Sequence, residues 1–488
     1  MSGAFVVAVL EGVIRVTEWL AVVFFLFVNG WYAALLVAAV IEMLEHRRLS
    51  RLENGSRLLS SPLTPTISVI APAFNEEATI VESLHALFGL HYPNLEIVVV
   101  NDGSRDRTLD RLRDNFSLRS IHPIYRRLVV TAPVRGLYRS PTHPGLVVVD
   151  KENGGSKADA VNAGFNVATG HLVCVMDADT LIEPHALQLM VRPFLEDPTV
   201  IAVGGTIRIV NGCAVRGGRV VEPRVPHNAW AGFQVVEYLR AFLFGRLGWN
   251  RLGGNLIISG GFGLFDREAV LAAGGFMHDA IGEDIELVTR LRARAAERGL
   301  PGRVAFVPDP VAWTEAPDGL RVLGGQRDRW HRGLADTLLR FRHVLFNPRY
   351  GVLGLVILPY YLIAELAAPI VEGVGLFSLA AAALLGILNV PFAILFLLVA
   401  YGLSAVLTVI TFALEEFTFH RYERMSDRLL LLLYAVFENV GYRQLTVYWR
   451  LRGLVKYARG RNEWGTMTRR GFQSPAPGTV GEPVVNRT

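Results

Sequence analysis

The apolar residues of this 488-residue chain are gathered into three blocks, residues 19–44, 352–414 and 429–449. The stretch between the first two has the mixed composition of a globular domain. Runs of about 20 apolar residues or more can cross a bilayer and are longer than typical core helices. Every other reading has to fit that distribution, which is that of an integral membrane protein with a polar domain, residues 65–345, inserted between membrane segments. Residues 17–43 are expected to cross once. The block 352–414, interrupted by Asn389 and Pro391, has room for three crossings and 429–449 for a fourth, giving about four on the carboxyl side, residues 346–450. Residues 1–16, broken by Glu11 and Arg15, read as an interfacial amphipathic piece of the amino-terminal unit, residues 1–64.

Charge sets the orientation. His46, Arg47, Arg48 and Arg51 follow the first span and no small-residue cleavage site is evident, so the span is expected to be a retained anchor with its cationic end in the cytosol. An even number of carboxyl-side spans then returns the basic tail, residues 451–488, to the same face. The expected placement is the plasma (inner) membrane, multi-pass, with the polar domain cytosolic. The net charge of +5 is thereby mostly topological. No interleaving of bases with aromatics marks a nucleic-acid surface, so nucleic acid is not an expected partner. The two cysteines, Cys174 and Cys213, fit a reduced compartment and lack metal-ligand spacing. Cys174 reads as a small core residue.

Inside the polar domain short apolar runs alternate with helical stretches, the pattern of a parallel α/β sheet. Residues 67–71 form a strand that runs into P-A-F-N-E-E (72–77) and a helix, 78–88. Residues 96–100 form a second strand ending in N-D-G-S (101–104), with another helix from near Asp106. Residues 147–149 form a third, followed by G-S-K-A-D-A-V-N-A-G (155–164). The run V-C-V-M-D-A-D (173–179) ends abruptly in two carboxylates. Side chains two apart on a strand point to opposite faces, so Asp177 and Asp179 can serve one ion only if the strand ends between them. Their hard oxygens suit Mg²⁺ or Mn²⁺ held against a diphosphate. Each strand delivers an acid or amide at its carboxyl end, which brings Asn75, Glu76, Asp102 and Asp177 to one rim, where α/β sheets hold ligands. Lys157 can reach a phosphate there as a point charge.

In order and spacing these four motifs resemble the GT-A domain of the inverting family 2 glycosyltransferases. The implied fold is an α/β GT-A (nucleotide-diphospho-sugar transferase) cytosolic domain inserted between α-helical transmembrane segments. The resemblance implies that Asp102 contacts a uracil, that Pro72, Asn75, Glu76, Lys157 and Asp177 belong to the nucleotide site, and that Asp177 and Asp179 hold the diphosphate and its metal. I-G-E-D (281–284) follows the glycine-rich S-G-G-F-G-L-F (259–265), and Asp284 matches the acid such enzymes use as general base, with Gly260 at the acceptor site. Inversion at an anomeric carbon needs one group to take the acceptor's proton while the diphosphate leaves from the opposite face. Glu283 is expected to project differently from Asp284, with Glu286 as a second structural neighbour.

Q-R-D-R-W (326–330) resembles the Q-x-x-R-W motif of membrane polysaccharide synthases, among them those of hyaluronan, cellulose, chitin oligomers and poly-N-acetylglucosamine. On a helix Gln326, Arg329 and Trp330 share a face. Trp330 offers a flat platform to an acceptor sugar, and Arg329 a fork to phosphate oxygens. N-E-W-G-T-M-T-R (462–469) is similar to the gating segment that follows the last span in hyaluronan-type synthases, with Trp464, Thr466 and Arg469 the residues concerned. The implied activity is polymerisation of a β-linked polysaccharide from UDP-glucose or UDP-N-acetylglucosamine and its passage across the membrane. The partners are the UDP-sugar donor, the growing chain, the bilayer and an export or assembly factor. Two other readings stay open: transfer of one sugar to a lipid, and an inactive nucleotide-binding assembly subunit.

Overall fold

The computed structural model describes residues 3–50, 64–177 and 180–460. Its strands are β1 (Ile67–Ala73), β2 (Leu95–Asp102), β3 (Arg119–Ile121), β4 (Val134–Arg139), β5 (Leu146–Lys151) and β6 (Leu172–Met176), then β7 (Leu181–Ile182), β8 (Val200–Ile209), β9 (Ala214–Arg216), β10 (Arg219–Glu222), β11 (Phe262–Asp266) and β12 (Arg303–Thr314). Ten of them form one sheet in the order β3-β4-β5-β2-β1-β6-β11-β8-β12-β7. Its centre, β5-β2-β1-β6, is parallel. These strands are near-continuous Ile, Val and Leu because both faces are covered.

A purely parallel sheet, as the alternation implies, is not what forms. β11 runs antiparallel between β6 and β8, and β3 and β4 add an antiparallel edge beyond β5. The edge strands carry Arg119, Arg135 and Arg139 and are largely exposed, so they leave no apolar run to read. Cys174 lies fully buried in β6, and burial pushes its thiol pKa up.

Membrane-length helices flank the sheet. Helix α1 (Gly3–Ser50) is unbroken, so residues 1–16 are not a separate interfacial piece where they are described. Glu11 and Arg15 stand one turn apart and pair with each other, which lets the helix continue through them. Among the described residues, three helices are long and apolar enough to cross a bilayer: Glu11–Arg48 within α1, Leu353–Leu384 and Val390–Thr418. In residues 352–414, where three crossings are expected, two helices of membrane length form. The chain has one stop there, where Asn389 caps the following helix and Pro391 sits in its first turn.

The fourth expected crossing, residues 429–449, is divided by Gly441 at φ +84° into two helices, Met425–Phe437 and Tyr442–Ala458. Thirteen residues rise only about 20 Å, short of a hydrocarbon core. Trp449, buried, packs against Gly324 rather than sitting at a lipid interface.

Ion pairs dock the carboxyl-side helices on the domain. Arg208 of β8 meets Glu415 at 2.6 Å with both side chains almost fully enclosed. Arg240 pairs with Glu438. Glycine does the same for α1: a side chain at Gly248 would lie 2.4 Å from the Leu35 carbonyl oxygen, so only glycine lets the chain lie this close. An α/β domain between membrane-length helices is the arrangement expected from the sequence.

Candidate active site

β2 and β5 extend the sheet on one side of β1 and β6 lies on its other side, so strand order reverses between β1 and β6. Such a switch point opens a crevice beyond the carboxyl ends. The loops leaving β1 and β2 are stitched together there. The Asn75 N–H donates to Ser104 Oγ at 3.0 Å, the Arg105 N–H to Asn75 Oδ1 at 2.8 Å, and the Glu76 N–H to Thr108 Oγ1 at 2.9 Å. Asn75 adopts φ +57°, a left-handed conformation that asparagine tolerates. Gly103 follows at φ +67°, where a Cβ would stand 2.7 Å from the Asn153 nitrogen.

Asp102 ends β2 almost buried, and the register sets it beside Lys151 of β5. The fully enclosed Lys151 ammonium lies between Asp102 and Asp159, and the Gly154 N–H donates to Asp102 at 3.2 Å. The acid is thus held in place and matched in charge.

Helix α2 (Lys157–Val167) opens with Ser156 as its cap. Its first residue, Lys157, sets its ammonium 2.5 Å from Asp177 Oδ1 and 2.6 Å from the Gly260 carbonyl oxygen. Burial works against the charged lysine, but Asp177 and then Glu283 outweigh it and its pKa rises. The Asp177 N–H donates to the Gly261 carbonyl at 3.1 Å.

Helix α3 (Glu283–Glu297) presents Asp284 in its first turn, where the helix dipole favours a carboxylate. Asp284 Oδ2 accepts from the Gly260 N–H at 3.1 Å. Gly260 therefore bridges Lys157 through its oxygen and Asp284 through its nitrogen. Glu286 turns inward and pairs with Arg290 at 2.8 Å, a structural role. Glu283 does not project away: it lines the same cavity as Asp284. Both residues stand at the very start of the helix, next to its cap Gly282, which also lines that cavity. Burial, then the charge of Asp284, pushes the Glu283 carboxyl above its ordinary range, against Lys157 and Arg329.

Helix α4 (Leu320–Arg340) carries Q-R-D-R-W. Gln326, Arg329 and Trp330 line the cavity, and Trp330 is 44% exposed. Arg327 and Asp328 are buried. Arg327 pairs with Glu237 at 2.6 Å and lies 4.3 Å from the Trp330 ring centre, a cation–π contact that backs the tryptophan. Asp328 accepts from Arg332, Arg452 and Lys456, the last two on helix α5 (Tyr442–Ala458), at 2.8, 3.1 and 2.7 Å.

One cavity of about 1350 Å³ is lined by Pro72, Asn75, Glu76, Asp102, Lys157, Asp177, Gly260, Asp284, Gln326, Arg329 and Trp330. These are all the predicted site residues that fall among the described ones. Asp179 and the gating residues Trp464, Thr466 and Arg469 lie outside them. Sequence reasoning missed Lys151 and Arg246. Lys151 ends a strand as the other rim residues do, so the same rule could have found it; Arg246 belongs to no motif.

A divalent metal fits the residues present at Asp177. A cation, the Lys157 ammonium, already sits on its carboxylate, and the Thr180 hydroxyl close by is buried without a hydrogen-bond partner among the described residues. Among the described residues no three His, Cys, Asp or Glu gather around one point. A metal here would share its shell with oxygens of a bound diphosphate.

The model of glycosyl transferase family 2 matches residues 68–270 and that of glycosyl transferase family group 2 matches residues 172–415, half of the chain. The chain belongs to the family 2 glycosyltransferases, a family of sugar-transferring enzymes. Among individual proteins, it is 29% identical over 285 residues to the probable glycosyltransferase YdaM of Bacillus subtilis, covering 58% of each chain. It is 28% identical over 274 residues to the poly-beta-1,6-N-acetyl-D-glucosamine synthase of Staphylococcus aureus, covering 56% of each. The match thus spans little more than half the length of these relatives. Among solved structures, the mannosyltransferase PcManGT from Pyrobaculum calidifontis, in complex with GDP-Man and Mn²⁺, aligns with a TM-score of 0.49 at 22% identity, over 85% of this chain and 99% of that one.

Proposed function

We propose that this chain is an inverting hexosyltransferase of the membrane that builds a β-linked polysaccharide from a UDP-sugar and passes it between its own membrane helices. The observation that carries this reading is the extent of the cavity. From Asp102, Lys157 and Asp177 it continues past Asp284 and Trp330 to Tyr32 of α1, to Tyr361, Glu365 and Glu372, and to Ser404. A nucleotide pocket alone would stop at the rim; this one opens onto membrane-length helices through aromatic and hydrogen-bonding residues, which suit sugar rings and hydroxyls.

In this reading Asp102 anchors the base, and Asp177 with Asp179 would hold Mg²⁺ or Mn²⁺, which when bound would supply charge neutralisation for the leaving diphosphate. Lys157 and Arg329 add positive charge on the same phosphates. Trp330 supports the acceptor ring, and Asp284 takes the proton of the attacking hydroxyl. Arg47 and Arg48 at the end of α1 support a cytosolic catalytic domain, because cations next to a span favour that face. With two carboxyl-side spans rather than four, the parity is unchanged and the chain returns to that face after Val390–Thr418. Trp464, Thr466 and Arg469, which lie outside the described residues, would serve to close over the nucleotide, and an export partner would meet the opposite face.

The test is a screen of labelled UDP-sugars on detergent-purified protein with mass analysis of the product. Polymer from one donor is expected, with kcat falling about 10²–10⁴-fold in Asp284→Asn while UDP affinity holds. Release of single-sugar lipid instead of polymer would overturn the processive part, and wild-type turnover in Asp284→Asn would remove it as the base.

A further inference from the structure

Helix α4 of the membrane-facing side is preceded in the chain by another, Ala229–Leu239, which continues as a π-helical segment, Arg240–Arg246. The last residue of that segment lines the catalytic cavity. Three other arginines of this cavity are matched: Arg240 by Glu438, Arg327 by Glu237 and Arg443 by Glu372. Arg246 differs. Its guanidinium lies 4.1 Å from the ring centre of Phe242, and its Nη1 is buried without a hydrogen-bond partner among the described residues. Burial leaves its pKa below the ordinary arginine value, against the opposing influence of Tyr361, Asp284 and Tyr238, of which only Asp284 carries a charge at neutral pH. A guanidinium nitrogen enclosed without a hydrogen-bond partner is costly, and the planar fork is built to take carbonyl or carboxylate oxygens.

The neighbours of Arg246 indicate which ligand would supply those oxygens. Lys157 and Asp177 mark the diphosphate end of the cavity, whereas Arg246 stands by the base Asp284 and by Tyr361 of the first carboxyl-side membrane helix. Trp330, 44% exposed, lines the same cavity and offers an apolar face to a sugar ring. The partner therefore lies on the acceptor side of the reacting bond.

We propose that Arg246 is a specificity-determining residue for the acceptor, taking a carbonyl or carboxylate oxygen carried by its sugar units: the acetamido group of an N-acetylhexosamine or the carboxylate of a uronate. The inference rests on the reading of this cavity as a glycosyl-transfer site. Plain hexoses offer only hydroxyls, which are weaker acceptors for a desolvated cation.

Binding of β-linked tetrasaccharides of N-acetylglucosamine, of glucose and of alternating glucuronate and N-acetylglucosamine tests this in the full-length protein in detergent. Quenching of tryptophan fluorescence reports it, since Trp249 and Trp330 line the cavity. The wild type is expected to bind one of the substituted chains about tenfold or more tighter than the glucose chain, and the tighter of the two identifies the oxygen. Arg246→Ala should erase the difference and Arg246→Lys restore part of it, with UDP affinity and melting temperature unchanged. Equal weakening of all three chains, no change, or a loss confined to UDP overturns the proposal. A protein that binds these chains as expected yet uses no UDP-sugar would refute the enzymatic reading and leave the role of Arg246 standing.

Discussion

Helix α3, which bears the base, and helix α4, which bears the acceptor platform, meet at Gly282 and Gly333. A Cβ built on Gly333 would stand 3.1 Å from both the nitrogen and the Cα of Gly282. Carbon contacts are comfortable at about 3.5–4.0 Å, so the two backbones must part by roughly half an ångström. Backbone cannot rotate away as a side chain would. Gly333→Ala is expected to cost about 1–3 kcal/mol in strain. It also moves Asp284 relative to Trp330. Since a misplacement of about 1 Å costs on the order of 10²-fold in rate, half of that implies a fall of about tenfold in kcat. Asp102, Lys157 and Asp177 sit on β2, α2 and the end of β6, so UDP affinity should hold. Steady-state kinetics with a UDP titration and a melting curve separate these effects. Gly282→Ala, whose Cβ would lie 3.3 Å from the Gly333 Cα, strains the same contact, and the double variant should lose less than the sum of the two. A Gly333→Ala enzyme with wild-type kcat would refute the claim that this contact sets the spacing of base and platform.

Asp328 lies inside Q-R-D-R-W but serves the interface with α5. Asp328→Asn should loosen residues 442–458 by about 3–5 kcal/mol at most, less where Arg452 and Lys456 are partly solvated, read as faster hydrogen exchange there. Lys157→Ala leaves the Asp177 carboxylate without its ammonium, so Mn²⁺ titration followed by electron paramagnetic resonance should show tighter binding in the absence of nucleotide and weaker binding of UDP in its presence. Glu283 holds its proton more tightly in the folded state than in the unfolded chain, so it subtracts stability as pH rises from about 4.3 through its raised value. Melting temperature against pH should therefore flatten over that window in Glu283→Gln; an unchanged slope would show that the carboxyl is not perturbed.

The rim residues were legible because strand-end chemistry is local. An apolar run stopping at Asn75, Asp102 or Asp177 names both the strand and what it delivers, and the parallel order of β5, β2, β1 and β6 then brings those ends abreast. The number of crossings was less legible, since hydropathy measures apolar length while the number of helices depends on stops such as Asn389 and Gly441. The face of Q-R-D-R-W was read correctly as shared by Gln326, Arg329 and Trp330; that Arg327 backs the tryptophan through Glu237 could not be, because Glu237 lies 90 residues away.

Hydrophobic patterning by itself determined that an α/β domain is set between apolar segments of membrane length, because burial in a sheet and in lipid each leave their own pattern on the chain; the motif order carried the resemblance to nucleotide-sugar transferases. Tertiary packing alone decided which charges are matched. Lys157 rests on Asp177, Lys151 between two acids, and Arg246 on a phenyl ring with one nitrogen unmet among the described residues. Ion pairing depends on a few ångströms between residues remote in sequence, a distance that no local pattern encodes.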